Sequence, residues 1–203
     1  MKKLTKAKKI IIAVVAAVLC IAMVVGIVLW NSVHPLQRFA NKIVRKQNFQ
    51  VEFYLYGIPL FGSVSFTCEV DGNIQHIPAS NLVSESYIET VGDKHYTYSK
   101  DSSGKWTKTE SDAESGDVLS NLQENGMLQQ LVDPDNYEAV EGKKNVYRQK
   151  DGVKIDNCED VVITLEKGTC SIEMILYTNG MALEALIVIS NIGNINLQLP
   201  KVG

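Results

Sequence analysis

The chain has 203 residues, of which 45% are hydrophobic and 21% are charged, with a formal net charge of −3. Five of its 20 basic residues precede position 10, so residues 31–203 carry 15 basic against 23 acidic side chains, a charge near −8. A body this acidic argues against nucleic acid and anionic headgroups as electrostatic partners. Its 173 residues are enough for one domain with a substantial core.

The first element along the chain is an apolar run from Ile10 to Trp30, directly behind the five lysines. As a helix, its 21 residues would span a bilayer core of about 30 Å. The lysines predict a cytoplasmic N-terminus. We therefore predict a cytoplasmic basic tail at 1–9, a transmembrane signal-anchor helix at 10–30 and an extracytoplasmic domain at 31–203 of a single-pass cell-membrane protein. A cleaved signal peptide is the alternative, although the run is long for one and no Ala-x-Ala follows it.

Two amphipathic helices are predicted after the apolar run. The first, at 35–48, opens with Pro35, which suits the first turn of a helix. The second, at 117–132, begins at Asp117 as N-cap and stops at Asp133 before Pro134. We expect both to lie across a sheet. The apolar stripe of the first helix, at i, i+3, i+4, i+7 and i+8, consists of Leu36, Phe39, Ala40, Ile43 and Val44.

Between and after these helices, apolar and polar residues alternate in short segments separated by tight turns, which predicts an antiparallel meander. Residues 186–189 are apolar on both faces, and this predicts a strand covered on both sides. The predicted fold is α+β: a strongly curved antiparallel sheet, or half-barrel, covered by the N-terminal and mid-chain helices and preceded by the transmembrane helix. The predicted strands are 49–56, 63–70, 74–77, 87–91, 94–99, 105–108, 137–140, 145–149, 161–165, 170–177, 181–190 and 192–199.

No catalytic or metal-binding motif is present in the sequence. The three histidines, His34, His76 and His95, have no metal-ligand spacing, and the chain has no nucleophile elbow, P-loop or dinucleotide fingerprint. We therefore predict no catalytic residue, no metal, no cofactor and no enzyme activity. The alternative is a hydrolase whose catalytic groups meet only in the fold, which loss of activity on substituting His95 or His76 would reveal.

Three cysteines lie beyond the apolar run: Cys68, Cys158 and Cys170. An odd number cannot form a complete disulfide framework. Cys68 and Cys170 fall on the apolar faces of predicted strands, which favours small core side chains. A Cys68–Cys170 bridge stays possible if their Cα atoms lie within about 7 Å.

The inward-facing positions of the predicted strands are aliphatic or aromatic. They either pack a filled core or line an apolar cavity. A cavity could hold an acyl chain, because each buried methylene contributes roughly 0.8 kcal/mol. The candidate lining residues are Val51, Phe53, Leu55, Val64, Phe66, Ile163, Ile172, Met174 and Leu176.

Several loose motifs between residues 36 and 200 give the chain a family resemblance. They are the helix leading into Asn48-Phe49, the stretch from Tyr87 to Tyr98, the segments 104–108 and 131–137, and the closing Leu199-Pro200. Their order resembles the LolA-like lipoprotein-carrier superfamily, half-barrel lipid-binding proteins of the cell envelope. The resemblance implies a domain that binds lipid or lipoprotein acyl chains in an apolar half-barrel cavity.

The anchor departs from the diffusing carriers of that superfamily and favours a fixed binding or sensing role. The expected partners are a lipid or acylated protein, the cell membrane and a membrane protein, and not nucleic acid. The alternative function is a ligand-free sensory or protein-interaction ectodomain of a membrane complex.

Overall fold

The computed structural model describes residues 34–59, 62–80, 83–111, 131, 133–178 and 180–202. Within these ranges the chain forms one helix, a 3-10 turn at Pro134–Asn136 and one sheet of eleven strands. The helix, α1, spans Pro35–Lys46. The strands are β1 (Asn48–Ile58), β2 (Gly62–Asp71), β3 (Ile74–Ile77), β4 (Ser86–Val91), β5 (Lys94–Lys100), β6 (Trp106–Ser111), β7 (Tyr137–Ala139), β8 (Val146–Gln149), β9 (Cys158–Glu166), β10 (Thr169–Thr178) and β11 (Met181–Ser190).

The strands lie in the order β6-β5-β4-β3-β2-β1-β11-β10-β9-β8-β7, and all neighbours are antiparallel. β6 and β7 are the outermost strands, so the sheet is not closed. The predicted α+β half-barrel covered by two helices is therefore wrong: the described chain is mostly antiparallel strand with one helix. One reason is that several strands extend beyond the alternating segments that predicted them. β9, for instance, continues back to Cys158 through a bulge at Asp160, whose φ is 53°, between the pairs Val162–Glu173 and Glu159–Ile175.

The predicted N-terminal helix is present and ends two residues early. Its stripe is buried at Leu36 and Ile43, whereas Val44 is 71% exposed. Val44 follows Ile43 by 100° of rotation, so it points away from the sheet once Ile43 faces it. Gln47 stops the helix in a left-handed conformation, with φ 47°, and its N–H donates to the Ile43 carbonyl at 2.8 Å.

The predicted transmembrane helix at 10–30 lies outside the described residues, and so does the predicted helix at 117–132, apart from Leu131, which is fully buried in the core. In the part of the chain that the structure describes, no helix has the length and apolar character needed to cross a membrane. On that finding, the predicted localisation is wrong: a single-pass cell-membrane protein with an extracytoplasmic C-terminal domain is not supported.

One face of the sheet holds the core and is called the inner face. In the ladder, Val51 lies between Cys68 and Ile189, and Ile187 pairs with Ile172; all five are buried. The opposite, outer face is half-exposed at Leu186 and Val188 of β11. The prediction that β11 is covered on both sides is therefore wrong among the described residues.

The predicted last strand, 192–199, does not form. Asn191 and Gly193 have φ angles of 53° and 84°, and these left-handed conformations turn the chain out of the sheet after Ser190. The segment that follows is bound by the side chains of Asn48 and Asp71 instead of by a strand ladder.

Candidate ligand-binding groove

The nine predicted cavity residues all lie on the inner face of the sheet. Cross-strand pairs join many of them directly: Phe53 with Phe66, Leu55 with Val64, and Ile172 with Ile163. The Phe53 and Phe66 rings stack at 4.6 Å between centroids. Val51, Ile163, Ile172 and Met174 are buried, and Phe53, Leu55, Val64, Phe66 and Leu176 are half-buried.

The buried members of this set are core side chains. Ile163 and Ile172 face each other with no exposed surface, and Val51 and Met174 belong to the same cluster. None of these nine residues contributes to either of two grooves on the surface of the domain.

The larger groove, here called the helix groove, has a volume of about 580 Å³. One side is α1, which contributes residues between Pro35 and Lys46. The other side is the end of the sheet where β8 begins and β9 ends, represented by Asn145, Leu165 and Glu166. The groove arises because α1 crosses this end of the sheet: His34, at its start, lies against Tyr147 of β8, with ring centroids 5.0 Å apart.

The floor of the helix groove is apolar. Phe39 and Leu165 line it, and both are partly buried against the hydrophobic core. Their inner atoms therefore stabilise the fold, while their outer surfaces stay accessible within the groove.

The rim of the helix groove is basic. Arg38, Lys42, Arg45 and Lys46 line it, and within the described ranges the only acidic lining residue is Glu166. α1 itself contains no Asp or Glu. Among the described residues, none of the four cations forms an ion pair. The rim is thus locally basic in a chain of net negative charge.

His34 forms the N-cap of α1, next to this groove. The Leu36 N–H donates to its Nδ1 at 3.3 Å. Burial lowers the pKa of His34, and the neighbouring Arg38 and Lys150 lower it further, against a smaller opposite effect of Asp135. The neutral imidazole is the form that can accept this hydrogen bond.

A second, smaller groove of about 360 Å³ lies between residues 148–153 and 159–162. Its charges are mixed, because Arg148 and Lys150 are accompanied by Asp151, Glu159 and Asp160. Arg148 also pairs with Glu138, at 2.6 Å from Nη2 to Oε1. This groove therefore carries no uncompensated charge comparable to that of the helix groove.

A polar cluster on the outer face holds His76. Its Nδ1 lies 2.8 Å from Glu69 Oε2, its Nε2 lies 3.3 Å from Glu85 Oε1, and its ring stacks on Tyr87 at 4.3 Å. The hydrogen bond from Lys100 lowers the pKa of Glu85. Both ring nitrogens of His76 thus contact carboxylates, one on β2 and one just before β4.

His95 is placed 3.2 Å from Thr90 Oγ1, through its Nδ1. Across the described part of the chain, no group of three or more His, Cys, Asp or Glu side chains is arranged to hold a metal ion.

The possible Cys68–Cys170 disulfide is excluded by the sheet order. Cys68 lies on β2 and Cys170 on β10, with β1 and β11 between them. Three strand spacings separate the two residues by about 14 Å, twice the Cα separation that a bridge tolerates.

In comparisons with known proteins, no family model matches the chain and no curated protein is significantly similar to it. In the part of the chain that the structure describes, the fold and the groove define an open antiparallel β-sheet protein with a helix-bordered cleft. The resemblance to LolA-like carriers stays a prediction.

Proposed function

We propose that this chain is a non-catalytic binding protein, and that its helix groove holds the apolar chain of a lipid or acylated ligand. The observation that carries the proposal is the groove itself, about 580 Å³ in volume, with Phe39 and Leu165 as its floor. This volume falls within the range of about 300–1,000 Å³ that is typical of small-molecule sites.

The energetics favour a single alkyl chain in such a groove. A buried methylene contributes roughly 0.8 kcal/mol, so eight of them contribute roughly 6 kcal/mol, which is comparable to the lower estimates of the cost of association. The inner-face residues that the sequence predicts to line a cavity are less suitable where they are buried, because Ile163 and Ile172 already fill their space.

The test is to block the groove without touching the core. Asn41 is exposed and lines the groove, whereas Gln37, one turn earlier, does not line it. The two side chains share one exposed hydrogen bond, from Gln37 Nε2 to Asn41 Oδ1 at 3.3 Å, so either substitution removes it. Asn41→Trp and Gln37→Trp are therefore a matched pair.

Calorimetric titration of the full chain with a twelve-carbon alkyl amphiphile, below its micellar concentration, gives the readout. We expect binding with a negative heat-capacity change, weakened at least tenfold by Asn41→Trp and unchanged by Gln37→Trp. Absence of binding, or equal effects of the two substitutions, would contradict the proposal.

A second candidate function, protein interaction, is favoured by the outer face. Half-exposed aliphatic side chains at Val162, Ile175, Leu186 and Val188 lie there beside the exposed Glu173. Val188→Lys would then remove a partner that co-purifies with the full chain, while leaving amphiphile binding intact. If the same partner is recovered with Val188→Lys, this candidate fails.

A further inference from the structure

We infer that the helix groove selects amphiphiles with an anionic head group, so that its ligand is a single-chain amphiphile carrying a carboxylate or phosphate. This inference rests on the proposed function and specifies the chemistry of its ligand. It starts from the four cations of the rim, Arg38, Lys42, Arg45 and Lys46, which lie opposite Glu166.

The rim cations repel one another along α1. Arg38 and Lys42 are four residues apart, as are Lys42 and Lys46, and Lys42 and Arg45 are three apart. Residues at these spacings are neighbours on a helix surface, and like charges there destabilise the helix. With no acidic residue in α1 to relieve the repulsion, a bound anion would offset it.

The helix dipole explains only part of this arrangement. Arg45 and Lys46 lie in the last turn, where cations are favourable. Arg38 lies near the opposite end, where the dipole disfavours a positive charge, and Lys42 lies in the middle. These two residues therefore point to a ligand and not to helix stability.

The chemistry of the rim suits a carboxylate or phosphate head. A guanidinium can bind either group through two parallel hydrogen bonds, and lysine ammonium groups add charge without fixed geometry. With the apolar floor at Phe39 and Leu165 next to the rim, an anionic head and an alkyl tail can be bound at the same time.

A free amphiphile fits better than a membrane surface. An interfacial helix inserts its apolar face into the lipid. In α1 that face is already used, because Leu36 and Ile43 are buried against the sheet. The overall negative charge of the chain also opposes attraction to an anionic bilayer as a whole, whereas a small ligand experiences mainly the local rim.

The experiment compares head groups on one tail. Titrations of the full chain use dodecanoate, dodecyl maltoside and dodecyltrimethylammonium, each below its micellar concentration, with acetate as a tailless anion. We expect dodecanoate to bind at least tenfold more tightly than the neutral and cationic compounds, with affinity falling as salt is added, and acetate not to bind.

A charge reversal in the rim provides the matched variant. Lys42→Glu should weaken dodecanoate binding at least tenfold and so abolish its preference over dodecyl maltoside. It places opposite charges four residues from Arg38 and Lys46, so it should not unfold α1. Lys105→Glu, at an exposed position in the turn between β5 and β6, makes the same change in net charge and should have no effect.

The outcomes separate the two proposals. Equal binding of all three dodecyl compounds, unaffected by Lys42→Glu, would overturn the anionic selectivity and leave the proposed function standing. No binding of any dodecyl compound would overturn both. Binding to anionic phospholipid vesicles without binding of dodecanoate would overturn the single-chain ligand in favour of a membrane surface.

Discussion

The side-chain amide of Asn48 binds the main chain of Ile195 through both of its polar ends. The Ile195 N–H donates to Asn48 Oδ1 at 2.7 Å, and Asn48 Nδ2 donates to the Ile195 carbonyl. Asn48 Nδ2 also donates to Asp71 Oδ1 at 2.8 Å, and Asp71 Oδ2 accepts from the Leu197 N–H at 3.0 Å. Two side chains at one end of the sheet thus fix the segment that follows β11.

Asn48→Ala should therefore destabilise the protein. The substitution leaves partly buried backbone groups of Ile195 without their partner, which costs roughly 1–3 kcal/mol. Urea denaturation measures the change in the free energy of unfolding. Gln37→Ala, which removes only an exposed hydrogen bond, is the control and should change it by less than about 0.5 kcal/mol. A result for Asn48→Ala as small as that of the control would show that the contact contributes little.

His34 should make stability sensitive to mild acid. Its pKa in the folded protein is lowered from 6.5, so the unfolded chain takes up a proton at a higher pH than the folded chain does. The free energy of unfolding therefore rises with pH between the lowered pKa of folded His34 and about 6.5, and this stability is lost as the pH falls below about 6.5. Protonation also removes the acceptor for the Leu36 N–H.

The variant His34→Asn keeps an N-cap acceptor but cannot titrate. Urea denaturation of both chains between pH 8 and pH 5 should show a stability difference that grows in favour of the variant as the pH falls. Parallel pH profiles would contradict the role assigned to His34.

Two isoleucines on β10 test which face of the sheet holds the core. Ile172 has no exposed surface, whereas Ile175 lies on the outer face and is half-exposed. Ile172→Ala should cost about 2–5 kcal/mol of unfolding free energy, because it leaves a cavity, and Ile175→Ala clearly less. The same residue type on the same strand makes the comparison direct. Equal losses in denaturation experiments would mean that the outer face is packed as well.

The buried cysteines should make the protein sensitive to alkali. Burial raises the pKa of Cys170 to about 12 and that of Cys158 to about 11, from a usual value of 9.0. Both thiols therefore ionise first in the unfolded chain, and stability that is fully present below pH 9 is lost progressively above it. The buried phenol of Tyr137, whose pKa burial also raises, acts in the same direction.

The double variant Cys158→Ala/Cys170→Ala should lose less stability than the parent chain between pH 8 and pH 10. In the parent chain, an alkylating reagent at pH 8 should modify these two thiols only after denaturant is added. Rapid modification under native conditions would contradict their burial.

The limits of a strand were predictable where strong turn signals bound it. β3 and β11 have the predicted limits, because Gly72 and Gly180 mark the turns that precede them. Residues 195–199 alternate strictly between apolar and polar side chains, yet the left-handed conformations of Asn191 and Gly193 divert the chain before them. Periodicity describes the faces of a segment and not whether a neighbouring strand is available to it.

The helix groove was not predictable from the sequence, because it depends on where α1 lies relative to the end of β9. The one usable signal was the absence of acidic residues in α1, which separates Arg38 and Lys42 from an ordinary solvated helix face. Likewise, the bridging of Glu69 and Glu85 by His76 requires the register of β2 against β3, which is a tertiary property.

The pairing of β1 with β11 has a consequence for synthesis of the protein. All other neighbours in the sheet are strands that are also consecutive along the chain. Two meanders, β1–β6 and β7–β11, can therefore form locally as they leave the ribosome. They become one sheet only when residues 181–190 emerge and close a loop of more than 120 residues against β1. Until then the edge of β1 stays unprotected, and a polypeptide that stops before Met181 would expose it permanently to aggregation.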